Sequence, residues 1–319
     1  MLILLIVAVG VVAFANGANA NFKGVASLYG SGTTSLWVAL LWGTAATFAG
    51  SLVAVYLASE MMTSFSGKGV VDDGLVASPR FLAAVAVGAA TTSLLANRLG
   101  FPVSTTHALV GAIVGAGLAG TGGFVNFSPL WKNFVFPLLF SPLVAFVFGV
   151  VVLTLFLSMK CVPTRSNRFL NVAHFMSAGA ASFSRGLNDT PKMAALLMLV
   201  PHFSPMIASL FVGFLIAVGA MVDARRVAET LGKKITGMTP GQGFAANLVT
   251  SLLVTTASLH SMPVSTTHVS VGSMLGIGAV TSQARWRSVG YVFLAWITTV
   301  PCAGLFAASA YFVFHFVRQ

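Results

Sequence analysis

One six-residue string occurs twice in the chain, as Pro102-Val103-Ser104-Thr105-Thr106-His107 and as Pro263-Val264-Ser265-Thr266-Thr267-His268. Proline disfavours helix in the residue before it, and Ser and Thr are favoured helix N-caps. Each string therefore predicts a helix start. The free N–H groups and positive dipole end of such a start, joined by hydroxyl donors, suit a tetrahedral oxyanion. Two of them face to face would enclose a single anion. Hydroxyls in apolar helices also bond back to their own turn, and one triplet alone would read that way as readily. Two identical triplets, each led by proline and followed by histidine, favour a site built from Ser104, Thr105, Thr106, Ser265, Thr266 and Thr267. His107 and His268 read as hydrogen-bonded packing residues near helix starts. A Ser/His hydrolase lacks the orienting carboxylate it needs at suitable spacing.

A second pair of polar islands precedes the strings, Gly17-Ala18-Asn19-Ala20-Asn21-Phe22-Lys23 and Gly186-Leu187-Asn188-Asp189-Thr190-Pro191-Lys192. Asn19 matches Asn188, Lys23 matches Lys192, and Ala20 stands opposite Asp189. Asp189 is the one acid outside the polar loops, since Glu60, Asp72, Asp73, Asp223 and Glu229 fall in or beside them. A charged side chain at membrane depth costs ~2.5–3.5 kcal/mol on insertion scales and is functional by default. A lone lysine near a helix end snorkels to the surface. Matched lysines beside an anion cradle instead add positive charge to it.

These residues must be carried by membrane helices. Only 7% of the residues are charged and 57% are apolar, against ~25% charged in a soluble domain. Runs such as 140–157 are continuous rather than alternating, which excludes a β-barrel. The formal net charge of +11 does not indicate nucleic-acid binding, because the basic residues sit mainly in short loops, where they fix orientation. Cys161 lies in a basic loop and Cys302 in an apolar helix, so no disulfide is expected. Residues 1–16 lack a basic n-region and lead into the repeated pattern, so they are expected to stay as a helix rather than be cleaved.

The repeat order predicts two halves, 1–158 and 169–319, joined by a basic connector at 159–168. In the first half, apolar segments fall at 2–16, 35–59, 81–96, 105–119 and 130–158; in the second, at 169–183, 193–200, 204–222, 244–259, 266–278 and 289–317. A helix over 2–16 rises only ~22 Å, short of a ~30 Å hydrocarbon core. It is expected to end inside the membrane, where irregular backbone must face protein or a watery cavity. Lys160, Arg165 and Arg168, and Arg225, Arg226, Lys233 and Lys234, mark two cytoplasmic loops by their positive charge. The first-half loop that matches the latter holds Lys68 and Arg80 against Asp72 and Asp73, and reads as external. The fold expected is thus all-α and polytopic, with two inverted-topology repeats whose broken or re-entrant helices meet at the bilayer midplane, and with both termini outside. That is the architecture of secondary transporters.

With these islands in place the sequence resembles the inorganic phosphate transporter (PiT-type) family. That family carries Gly-Ala-Asn-Asp early in each half and Pro-x-Ser-x-Thr-His later; here they appear as Gly17-Ala18-Asn19-Ala20, Gly186-Leu187-Asn188-Asp189 and the two repeated strings. Tyr29-Gly30-Ser31-Gly32 and the stretch 226–236 add to the likeness, which covers nearly the whole chain. The resemblance implies an inverted-repeat carrier of the bacterial inner membrane, often dimeric, that moves phosphate with Na⁺ or H⁺ and uses no other cofactor. It implies anion binding through the two triplets and cation coupling, including any Na⁺ site, through Asp189, Asn188 and Asn19; the islands themselves add Lys23, Lys192, Asn19 and Asn188 to the anion-binding set. The sequence departs from the family at Ala20, where an aspartate is expected, and at Lys23 and Lys192, where an asparagine is. Losing a carboxylate removes a hard-cation ligand and an acceptor for the proton of hydrogen phosphate. Sulfate is therefore the alternative cargo on the same scaffold. An anion channel or a non-transporting receptor is the alternative of a different class.

Overall fold

The computed structural model describes residues 1–160, 168–223, 227 and 237–316. Arg165, Cys161 and the basic residues Arg225, Arg226, Lys233 and Lys234 lie outside the described residues, as does most of the family-like stretch 226–236. Ten long helices among the described residues carry the structure: α1 Leu2–Ala20, α2 Leu36–Leu57, α3 Pro79–Arg98, α4 Thr105–Thr121, α5 Phe136–Ser158, α6 Arg168–Ala194, α7 Pro205–Asp223, α8 Pro240–Leu259, α9 Thr266–Val280 and α10 Trp286–Phe316. Among the described residues, β pairing is limited to an isolated bridge between Lys68 and Val71. Six helical segments among the described residues are long and apolar enough to cross a membrane. The protein is all-helical and multi-pass, as the composition requires.

Local chemistry accounts for most of the helix boundaries. Thr239 and Gln242 form a capping box with Pro240 in the first turn of α8, which satisfies donors the helix start leaves free. Ser35 caps α2 by accepting from Val38 N. The α4 helix ends at Gly122, whose φ of +73° is one that side-chain-bearing residues rarely adopt.

Two expected breaks fall elsewhere. The α1 helix runs on through the first island to Ala20, followed by a tight turn at Asn21–Lys23. The second island does not interrupt its helix at all: α6 is continuous over 27 residues with Pro191 inside it. The reason is tertiary. Asn16, Asn19, Asn188 and Asp189 bond to other segments, so their side chains do not compete for their own helix backbone. The turns at 99–104 and 260–265, ahead of α4 and α9, do break where the prolines predict.

The halves interleave. The α1 helix packs on α7 while α6 packs on α2; α4 packs on α10 while α9 packs on α5. Within each half α1 lies on α3, and α6 on α8. Glycine permits the closest of these approaches. A Cβ on Gly17 would sit 1.9 Å from Ile216 O, and one on Gly186 2.0 Å from Thr47 O. The paired glycines of α4 and α9 do likewise: a Cβ on Gly115 would lie 2.0 Å from Gly304 O, and one on Gly276 2.3 Å from Phe146 O. These are the small-residue seams of membrane helix packing. Apolar side chains such as Leu143, Val147 and Leu155 on α5, and Ile297 and Leu305 on α10, are exposed, which suits a lipid-facing surface. Polar groups gather inside.

Candidate functional site

The two triplets meet at the centre. Ser104 and Ser265 have nearly the same backbone, φ −96° with ψ 113° and 115°. Each hydroxyl oxygen accepts the N–H of the histidine three residues on, at 3.2 Å for His107 and 3.3 Å for His268. The serines are thus the N-caps of α4 and α9. The N–H groups of the following threonines have no acceptor within their own helix, as at any helix start. The His107 and His268 rings lie 4.4 Å apart between centroids.

The third residue of each triplet reaches the opposite half. Thr267 Oγ1 donates to Val103 O at 2.9 Å, and Thr106 Oγ1 donates to Val264 O at 3.4 Å. Each of these pairs also holds a lysine. Lys192 Nζ donates to Thr106 Oγ1 at 2.8 Å and to Val264 O at 2.7 Å. Lys23 Nζ donates to Val103 O at 2.7 Å and to Thr267 Oγ1. Both lysines are buried, 3% and 1% exposed, so neither snorkels.

The middle threonines turn toward the islands. Thr105 Oγ1 accepts from Asn16 Nδ2 at 2.9 Å, and Thr266 Oγ1 donates to Asp189 Oδ2 at 3.4 Å. Asp189 is enclosed on every side. Its Oδ2 also accepts from Asn16 at 3.2 Å and lies 3.6 Å from Arg185 Nε. Its Oδ1 accepts from Asn188 at 3.2 Å and from Lys192 at 3.5 Å. Arg185 further donates to Asn16, Asn21 and Thr47.

Arg185 and Asn16 belong to this centre, yet the motif reading passed over both. A signal was available: a basic residue one helical turn before Asp189 in an apolar helix, the i, i+4 spacing that lets two charges meet. Asn16 lies one residue ahead of the first island.

The three residues expected to share a cation do not form one cluster. Asn19 bonds to the first break, its Nδ2 donating to Phe101 O at 2.9 Å and its Oδ1 accepting from Val103 N at 3.0 Å. Asn188 bonds to the second, donating to Val264 O at 3.2 Å and accepting from Ser258 at 3.3 Å. They hold the two turns in place from matching positions, and Asp189 stands beside Asn188. His268 is a packing residue, stacked on Trp296 with Nδ1 on Leu138 O; Trp296 Nε1 in turn donates to Pro102 O at 3.0 Å.

Among the described residues, the buried charged side chains are Lys23, Arg185, Lys192 and Asp189, three cations and one anion. A buried net charge of this sign needs an opposite partner. Helix starts, hydroxyls and surplus positive charge at one point can hold an anion.

An all-helical multi-pass membrane protein with its polar machinery gathered at its centre has the architecture of a transporter. The chain belongs to the phosphate transporter family, whose pattern it matches over residues 16–307. It is 33% identical over 263 residues to the "Probable low-affinity inorganic phosphate transporter" of Rhizobium meliloti (strain 1021), covering 77% of each chain. It is also 32% identical over 268 residues to a sulfate permease of Bacillus subtilis (strain 168), covering 83% of this chain and 72% of that one. Its fold matches that of a solved chain described as "The sodium-dependent phosphate transporter", with a TM-score of 0.86 at 22% identity over 99% of both.

Proposed function

We propose that the protein carries inorganic phosphate across the membrane by alternating access, driven by a coupling cation, Na⁺ or H⁺, with the oxyanion held between the starts of α4 and α9. The observation that carries this is the crossed contact of the triplets, in which Thr106 and Thr267 each bond to the break of the other half. The anion-binding set is Ser104, Thr105, Thr106, Ser265, Thr266 and Thr267 with Lys23 and Lys192; Asn19 and Asn188 support it by fixing the turns. We read residues 1–158 and 169–319 as inverted copies, a reading supported by the reciprocal packing of α1 on α7 and α6 on α2. In such a carrier the site lies at the repeat interface and one bundle rocks against the other.

Sulfate is the second reading, and one observation favours it. Both Asp189 oxygens already accept from donors, which leaves little to receive the proton of hydrogen phosphate; sulfate brings no such proton. The sulfate permease among the relatives points the same way.

Uptake of radiolabelled phosphate and sulfate into proteoliposomes, with each anion competing against the other, decides between them. Saturable uptake is expected. Replacing Thr106 or Thr267 by valine is expected to raise the apparent KM about tenfold or more, since a hydrogen bond to a charged group contributes ~1.5–3 kcal/mol. Flux that never saturates would identify a channel, and binding without flux a receptor. No uptake of either anion under any gradient would refute the carrier.

A further inference from the structure

We propose that the side-chain nitrogens of Lys23 and Lys192 stand as tethered cations in the two places where a carrier of this architecture would bind its coupling Na⁺, so that the anion moves without Na⁺. The inference rests on the carrier reading and narrows it.

Inverted-repeat carriers bind Na⁺ where unwound backbone turns carbonyls toward the site, and a hard cation takes oxygen ligands. Two such clusters exist here, one per half. The second consists of Val264 O, Thr106 Oγ1 and Asp189 Oδ1, and Lys192 Nζ donates to all three, at 2.7, 2.8 and 3.5 Å. An ammonium has three donors, and this one uses each on an oxygen that a small monovalent cation would otherwise claim. The first cluster consists of Val103 O and Thr267 Oγ1, both taken by Lys23. It lacks a carboxylate because Ala20 stands where the second half has Asp189.

The chemistry of the donor set therefore does not fit Na⁺. A metal ion entering either cluster would meet a like charge at contact distance and oxygens already engaged. Asp189 has no oxygen to spare, because Asn16, Asn188, Thr266 and Lys192 occupy both, with Arg185 Nε 3.6 Å from one. Membrane-buried lysines that only braced the turns would also make these bonds, so the test must ask whether removing the lysine uncovers a cation site.

Purified protein is heated in sodium chloride and in choline chloride at equal ionic strength. The wild-type melting temperature is expected to be the same in both. Lys192→Ala and Lys192→Met, and separately Lys23→Ala and Lys23→Met, are expected to gain a sodium-specific rise. Sodium at about a hundred times its dissociation constant multiplies the folded-to-unfolded ratio about a hundredfold. The methionine forms keep the volume of the side chain should the alanine forms fail to fold, and the wild-type arm needs no variant. A sodium-specific rise in the wild type, or none in any folded lysine variant, overturns the proposal. In proteoliposomes, wild-type uptake is expected to proceed at the same rate in sodium and in choline; uptake that requires sodium overturns it as well. Absence of uptake in every medium would instead overturn the carrier reading, and the melting comparison would still decide what the two clusters bind.

Discussion

Asp189 is the residue on which the buried charges converge. It lies between Arg185 and Lys192 and accepts from Asn16, Asn188 and Thr266. Asp189→Asn leaves three buried cations without a compensating charge. Breaking a buried pair from one side typically costs ~3–5 kcal/mol, so a large fall in melting temperature is expected on heating the purified variant. Adding Lys192→Met to it removes one of the stranded charges and is expected to recover part of the loss. An Asp189→Asn protein as stable as the wild type would mean that the cations find partners elsewhere. The same network explains how four polar islands remain inside a membrane protein: Asn16, Asn19, Asn188, Asp189, Lys23 and Lys192 all bond to another segment.

At the scale of elements, the working parts are two broken hairpins, α3 with α4 and α8 with α9. The breaks are local in origin, set by Pro102 and Pro263 and closed by the serine caps. Their meeting is not local. It depends on α4 lying against α10, and α9 against α5, at distances only glycine allows. Gly115→Ala would place a methyl group 2.0 Å from Gly304 O, and α4 would have to move. Overpacking of this kind typically costs ~1–3 kcal/mol, and here it would also shift Ser104–Thr106. Gly115→Ala is therefore expected to lower both melting temperature and uptake, whereas Gly290→Ala on α10, where a Cβ meets open space, leaves both unchanged. Equal behaviour of the two variants would show that the seam tolerates separation.

For the whole molecule, interleaving is the property that matters. Each half supplies one helix start, one lysine and one asparagine-held turn, and Thr106 and Thr267 tie the halves together. If rocking of one bundle on the other exposes this centre alternately, a cysteine at Thr106, in a background lacking Cys161 and Cys302, should react with an impermeant thiol reagent from either face of the membrane. Phosphate or sulfate should slow both reactions. Labelling from one face alone, with and without anion, would contradict alternating access.

The sequence by itself determined the membrane class, the duplicated order of islands and the helix starts at Thr105 and Thr266. Those follow from composition, proline and cap chemistry, which act within a few residues. It also singled out Asp189, Lys23 and Lys192, because charge in an apolar helix is conspicuous without any coordinates. Tertiary structure alone decided that α6 runs unbroken through Pro191, that Arg185 and Asn16 join the centre, and that Asn19 and Asn188 brace separate turns. It also decided which oxygens the lysines hold. Those outcomes depend on which distant segment satisfies a buried polar group, and neighbours along the chain carry no record of that.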